Sequence, residues 1–314
     1  MVKTKFCVFL KLALFLSLLT AASQNALIGK DAGISPEELV AKHLKAFGDP
    51  GILAAVQSRV FVGSSSVRFV QGATGSMSGT SLYVSEGKKL GLTMKFADKD
   101  YPGEYFAFDG KEVSVGHINP GQKSPIADFL FRNGRIIKDG FIGGALSVNW
   151  PLLNIQERRP ILKCQIKEIE GKELYELDYQ PRDGFGDMKI KMFFDMETFN
   201  HVRTEYSVRV RDDVTATQSY TPEVITSSSS SSSSSATLNK TSSTLFGSTP
   251  ESIYKLVEKF GDFKKVSGMM LPHSYGIDYE VEGQGHAFIG HWDMVAKQWI
   301  VNKAWDPLFF KAQK

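Results

Sequence analysis

The chain is predicted to be α+β and mainly antiparallel β: a curled sheet with one apolar face and a few helices to cover it. Three observations carry that expectation. Between Gly79 and Ile118 the pattern is that of four short strands in a meander. Leu90, Leu92, Met94 and Phe96 fall on one face and Gly91, Thr93 and Lys95 on the other, the period of two of a half-buried strand. From Ile161 to Arg211 the alternation is clearer still, with Val202, Thr204, Tyr206, Val208 and Val210 opposing Arg203, Glu205, Ser207, Arg209 and Arg211. A solvated outer face and an apolar inner face suit a sheet curled over something. Helical patterns, finally, are too few and too short to cover both faces of a layered α/β domain.

The first element is an address signal over residues 1–23. MVKTK is a positive n-region, FCVFLKLALFLSLL an apolar h-region and TAAS a small-residue exit, which is the make-up of a cleaved secretory signal peptide. An uncleaved anchor is the competing reading, but Lys11 interrupts a run already short for a bilayer span. The remainder, 24–314, is expected to be a single domain, periplasmic or otherwise exported. With the leader removed, Cys164 is the cysteine that remains, so no intramolecular disulfide is expected and packing must hold the fold. In ILKCQIKEI it shares a strand face with Leu162 and Ile166, as a small buried hydrophobe would.

Ser35 to Phe47 is predicted as a helix: Ser35 is the N-cap, Pro36 fits the first turn, Glu38 completes a capping box and Gly48 stops the run. Leu39, Val40, His43, Leu44 and Phe47 form its apolar stripe, with His43 expected at the edge of the core. Ser58 onward gives a long strand with a Gly-Ser middle, and Asp109-Gly110 favours a two-residue hairpin. A second short helix is expected in SPIADFLFRNG, capped by Ser124. The apolar, glycine-interrupted stretch Ile136 to Leu153 is too short to span a membrane and is expected to lie as a cover across a hydrophobic surface.

Residues 213–248 contain nine consecutive serines, Ser227 to Ser235. They hold too few apolar groups to offset an ordering entropy of about 1–2 kcal/mol per residue, so a disordered loop is expected. Thr249, Pro250 and Glu251 then read as the start of a third helix, running to Phe260. Two further alternating strands place His273, Tyr275, Ile277, Tyr279 and Val281 on one face, then His286, Phe288, Gly290, Trp292 and Met294. Phe309 and Phe310 are expected to tuck against the sheet.

Composition narrows the function. Of 314 residues 42% are hydrophobic, and 37 basic against 34 acidic residues leave little excess charge; Lys3, Lys5 and Lys11 belong to the leader. A nucleic-acid partner is therefore not expected. The sequence holds no GxSxG, HExxH, GxxxxGK[ST] or CxxC pattern. His286 and His291, five apart in one strand, point to opposite faces, a poor geometry for a shared metal. Glu104, Asp109, Asp195 and Glu197 sit at turns or strand ends, where solvated structural roles are the default. Neither catalysis, a cofactor nor a metal is expected.

The order of these segments resembles a known family. SGTSLYVSEGKKLGLTMKF and FAFDGKEVSV, then KELYELDYQPR and KIKMFFDMETFNHVRTEY, then FGDFKKVSGMMLPHSY make the chain similar to the periplasmic lipoprotein-carrier superfamily of LolA and LolB over about Ser35 to Trp292. The resemblance implies an unclosed, half β-barrel of about eleven strands around helices, with a hydrophobic cavity for acyl chains. The lid-holding arginine of that family is not assigned to a particular position from the sequence, and the serine-rich loop departs from the family. The wall residues expected to contact a ligand are Leu92, Met94, Phe96, Phe106, Phe108, Tyr206, Ile277 and Phe288. The expected partner is a lipid or an acylated lipoprotein, with a membrane protein at either membrane as a possible donor or acceptor, and the chain is expected to act as a monomer. An envelope sensor on the same fold is the alternative, and a secreted enzyme the least favoured reading.

Overall fold

The computed structural model describes residues 30–211, 251–283 and 286–311; the leader at 1–23 and the serine-rich stretch at 213–248 lie outside them. The described strands are β1 (Lys30–Asp31), β2 (Ser58–Gln71), β3 (Gly75–Glu86), β4 (Lys89–Phe96), β5 (Gly103–Phe108), β6 (Val113–Val115), β7 (Ile161–Ile169), β8 (Lys172–Gln180), β9 (Lys189–Asp195), β10 (His201–Arg211), β11 (Glu251–Val266), β12 (Met269–Gly283) and β13 (His286–Val301). All thirteen form one sheet, in the order β1-β7-β8-β9-β10-β11-β12-β13-β2-β3-β4-β5-β6. Every pairing is antiparallel, and the end strands β1 and β6 do not pair with each other. The fold is thus the unclosed antiparallel sheet with few helices that was expected, with two more strands than the predicted eleven or so.

Connectivity decides what fills the concave side. The meander β2 to β6 joins the run β7 to β13 through the pairing of β13 with β2, where Trp292 stands opposite Val67. Strand β6 is one free edge, and β7 lies at the other, flanked only by the two residues of β1. The connection from β6 to β7, residues 116–160, has to travel from edge to edge. It carries helix α3 (Pro125–Arg132), the single turn α4 (Arg135–Lys138), a 3-10 turn at Gly144–Leu146 and α5 (Ile155–Arg158).

Two helices precede β2. In α1 (Pro36–Phe47) Ser35 Oγ accepts the Glu38 N–H at 3.1 Å, and Leu39, Val40, His43 and Phe47 are buried. A further short helix, α2 (Pro50–Ala55), is started by the Asp49 carboxylate, which accepts the Gly51 N–H at 2.8 Å. Helix α3 has the expected cap, Ser124 Oγ accepting the Ala127 N–H at 3.1 Å, and buries Ile126, Ala127, Phe129 and Leu130. On the convex side the 302–311 tail crosses the sheet. Phe310 is buried against Val60 and Val84, and the Tyr105 hydroxyl donates to the Phe309 carbonyl.

Two local expectations are overturned. Glu251 to Phe260 is not a helix but the first part of β11, which pairs with β10 from Glu251 to Lys259 and with β12 from Ile253 to Val266. Ile253, Leu256, Val257 and Phe260 have helical spacing, yet from Ile253 to Lys259 the chain is laddered on both sides, and that pairing overrides local preference. Asp109-Gly110 is not a two-residue hairpin either. Phe108 pairs with Val113, leaving residues 109–112 as the loop. The Asp109 carboxylate accepts the N–H groups of Lys111 and Glu112, both at 2.8 Å, and so stabilises the wider turn.

Candidate functional site: a plugged concave face

The predicted wall residues lie together in the main core. Leu92, Met94, Phe96, Phe106, Phe108, Tyr206 and Ile277 are all buried there, and Phe288 is partly buried against the same cluster, beside Phe69 and Tyr279. Alternation brings them onto one face: Leu92 stands opposite Phe106 across β4 and β5, while Gly91 turns outward, its missing Cβ leaving room for the Phe309 ring.

That face is covered by the segment 136–153. Ile136, Ile137, Phe141, Ile142, Leu146, Trp150 and Leu152 are each at most 1% exposed. Burying each such side chain contributes about 1.5–3 kcal/mol. The expected cover is therefore seated inside the curl as a plug.

Polar groups of the sheet hold the plug by its backbone. Arg59 Nη1 on β2 donates to the carbonyls of Ala145 at 2.8 Å and Ser147 at 3.1 Å. On β3 the Tyr83 hydroxyl donates to the Ile142 carbonyl at 3.0 Å, and Ser85 Oγ accepts the Val148 N–H at 3.0 Å. Glu258 on β11 accepts the Gly143 N–H at 2.7 Å and is steadied from both neighbouring strands by the hydroxyls of Tyr206 (2.7 Å) and Tyr275 (2.5 Å). The plug must be glycine-rich for this approach. Gly143 has φ +87°, and a Cβ there would lie 2.3 Å from the Tyr83 hydroxyl oxygen.

Burial shapes the electrostatics. It pushes the Glu258 carboxyl up to about 7, against the opposing hydrogen bonds from Tyr275, Gly143 and Tyr206. Burial also lowers Arg59 to about 10. Beneath the plug, His43 Nδ1–H donates to the Phe199 carbonyl at 2.8 Å, and burial drops the imidazole to about 4. His201 is held well below its ordinary value, by burial and then by His43. The rings of both pack on Trp150, with centroids 5.2 and 4.9 Å away. His43 is thus inside the core rather than at its edge.

Beside the plug an open groove of about 1090 Å³ runs between α1, α2 and residues 148–154, with Leu44, Leu53, Val56 and Leu153 among its apolar walls and Lys45 at its rim. Among the described residues no cluster of three His, Cys, Asp or Glu side chains is placed to hold a metal.

The plug-holding groups Arg59, Tyr83, Ser85 and Glu258 are not among the residues that the sequence pattern singled out. For two of them the signal is a charge on the apolar face of an alternating strand, Arg59 beside Phe61 and Glu258 between Leu256 and Phe260. Glu104 is a correction as well. It is buried, not solvated: the Tyr101 hydroxyl donates to it at 2.5 Å, the Trp292 indole N–H donates to Tyr101 at 2.7 Å, and burial raises the carboxyl to about 7.

No protein-family model matches the chain, and no curated protein matches it in sequence. Solved structures similar to it include an outer membrane lipoprotein-sorting protein domain from Vibrio parahaemolyticus, at 9% identity and TM-score 0.38, covering 87% of this chain and 94% of that one. A LolA superfamily protein from Nitrosomonas europaea is similar at 10% identity and TM-score 0.39, covering 88% and 98%. The MucA/MucB complex of Pseudomonas aeruginosa is similar at 10% identity and TM-score 0.22, covering 84% and 99%. At these levels of overlap the functional reading rests on this chain's own residues.

Proposed function

We propose that the protein is an exported, non-enzymatic carrier that shields the acyl chains of a lipid or lipoprotein against its concave face. One observation carries this reading. The apolar inner face is closed by a glycine-rich segment held through its backbone at a few polar points, and a groove lies open at that segment's end. An acyl chain entering by the groove would take over the apolar surface that Phe141, Ile142 and Leu146 now cover. Leu92, Met94, Phe96, Phe106, Phe108, Tyr206, Ile277 and Phe288 would then line its path. A ligand moves such an equilibrium only as far as it binds the open form better than the closed one, and replacement of one apolar surface by another makes that difference small enough to be reversible. Reversibility is what a carrier needs.

Native mass spectrometry of the full chain purified from the bacterial envelope, together with titration of a fluorescent fatty acid, tests this. The expected result is a co-purifying lipid mass and saturable probe binding. Protein that is ligand-free and also ignores the probe would overturn the proposal, and a stable membrane-protein partner with no lipid transfer between vesicles would replace it with a sensor.

A further inference from the structure

Arg59 is a buried cation that meets only neutral partners. Its side chain is 0% exposed, Nη1 donates to two plug carbonyls, the guanidinium lies 5.0 Å over the Phe47 ring and Nε has no hydrogen-bond partner. Glu258, the acidic group that also touches the plug, is already engaged by Tyr206, Tyr275 and Gly143. A guanidinium in this position has a fixed fork of donors suited to a carboxylate or a phosphate. The carbonyls of Ala145 and Ser147 occupy part of that fork, and the Ile142 carbonyl occupies the neighbouring Tyr83 hydroxyl.

We infer that Arg59 and Tyr83 form a head-group site on the concave wall, selecting amphiphiles whose polar end is an anion, a carboxylate or a phosphate. This rests on the acyl-binding reading above. When a chain displaces the plug, its carbonyls leave Arg59 with it. A neutral chain end supplies at most a hydroxyl acceptor and, like the plug carbonyls, no counter-charge, so it gives Arg59 no advantage in the open form. An anion replaces two neutral acceptors by a charge-assisted pair, the stronger contact, and supplies the preference for the open form that displacement requires. The plug peptide is thus the protein's own stand-in for the head group.

The test is competition on the full chain, using displacement of a fluorescent fatty acid by oleic acid, oleoyl lysophosphatidic acid and oleyl alcohol, each below its micelle threshold. One or both anionic competitors are expected to displace the probe at a concentration lower than the alcohol by about tenfold or more. Which anion leads distinguishes a carboxylate source from a phosphate source. In Arg59→Gln the gap should close, Arg59→Lys should retain part of it, and Tyr83→Phe, which keeps the ring, should narrow it. Should Arg59→Gln not fold, the ranking on the unaltered protein and Tyr83→Phe decide the matter. Equal displacement by all three compounds overturns the head-group site and leaves acyl binding standing. No binding of probe or competitor overturns both.

Discussion

Glu258 Oε1 accepts the backbone N–H of Gly143 at 2.7 Å across 115 residues of sequence, tying the middle of the plug to the middle of the sheet. The contact is fully buried, and its cost depends on whether the carboxyl carries a proton.

Glu258 sets one pH dependence. Its folded value, about 7, lies above the ordinary 4.5 because of burial. The folded protein keeps this proton while the unfolded chain loses it, so stability from this group is present below pH 4.5 and falls as pH rises toward 7. Glu258→Gln removes that loss. Relative to the native protein, the variant should gain on the order of 3 kcal/mol between those limits, seen in urea denaturation at a series of pH values. A pH-independent difference would contradict the assignment.

His43 acts in the opposite direction. Burial lowers it from 6.5 to about 4, so its contribution is present above 6.5 and is lost as pH falls toward 4. His43→Phe should be less stable in neutral solution, where the contact to the Phe199 carbonyl is lost, by about 1–2 kcal/mol. Its stability should also fall less on acidification. Thermal melts across that window check both parts.

Gly143 is required by both conformation and space, and Gly171 by conformation alone. Both have positive φ, +87° and +80°, but a Cβ at Gly171 meets nothing within 4 Å, whereas at Gly143 it meets Tyr83 at 2.3 Å. Gly171→Ala should cost about 1–2 kcal/mol, and Gly143→Ala at least about 1–3 kcal/mol more, from overpacking. Denaturant midpoints of the two variants give the comparison.

Cys164 should be a poor nucleophile. Burial raises its thiol to about 11, with Glu176 and Asp31 adding to the effect. In a Cys7→Ser background, reaction with an aromatic disulfide reagent should be slow in the folded protein and at least about tenfold faster in urea, as the thiolate fraction recovers. Equal rates would show the thiol to be open and unperturbed.

Much of the fold was legible because alternation is a local property. Leu90 to Phe96 and Val202 to Val210 name their inner faces without help from the rest of the chain, and Ser35 and Ser124 announce their helices through a single hydroxyl each. Glu251 to Phe260 was misleading for the same reason: its spacing fits a helix, and only pairing with β10 and β12 makes it a strand. Asp109-Gly110 likewise states that the chain turns but not that the turn takes residues 109–112.

The amino-acid order by itself determined that this is an antiparallel sheet with one apolar face, crossed by a glycine-rich apolar segment. It did not determine what that segment does there. The assignment of Arg59, Tyr83, Ser85 and Glu258 as its holders depended on the tertiary structure, because their partners are plug backbone atoms far along the chain. A peptide carbonyl carries no side-chain signature, so a charge paired with it leaves no pattern in the sequence. Only the path from one free sheet edge to the other, with β6 at the first and β7 beside the second, places those carbonyls over Arg59.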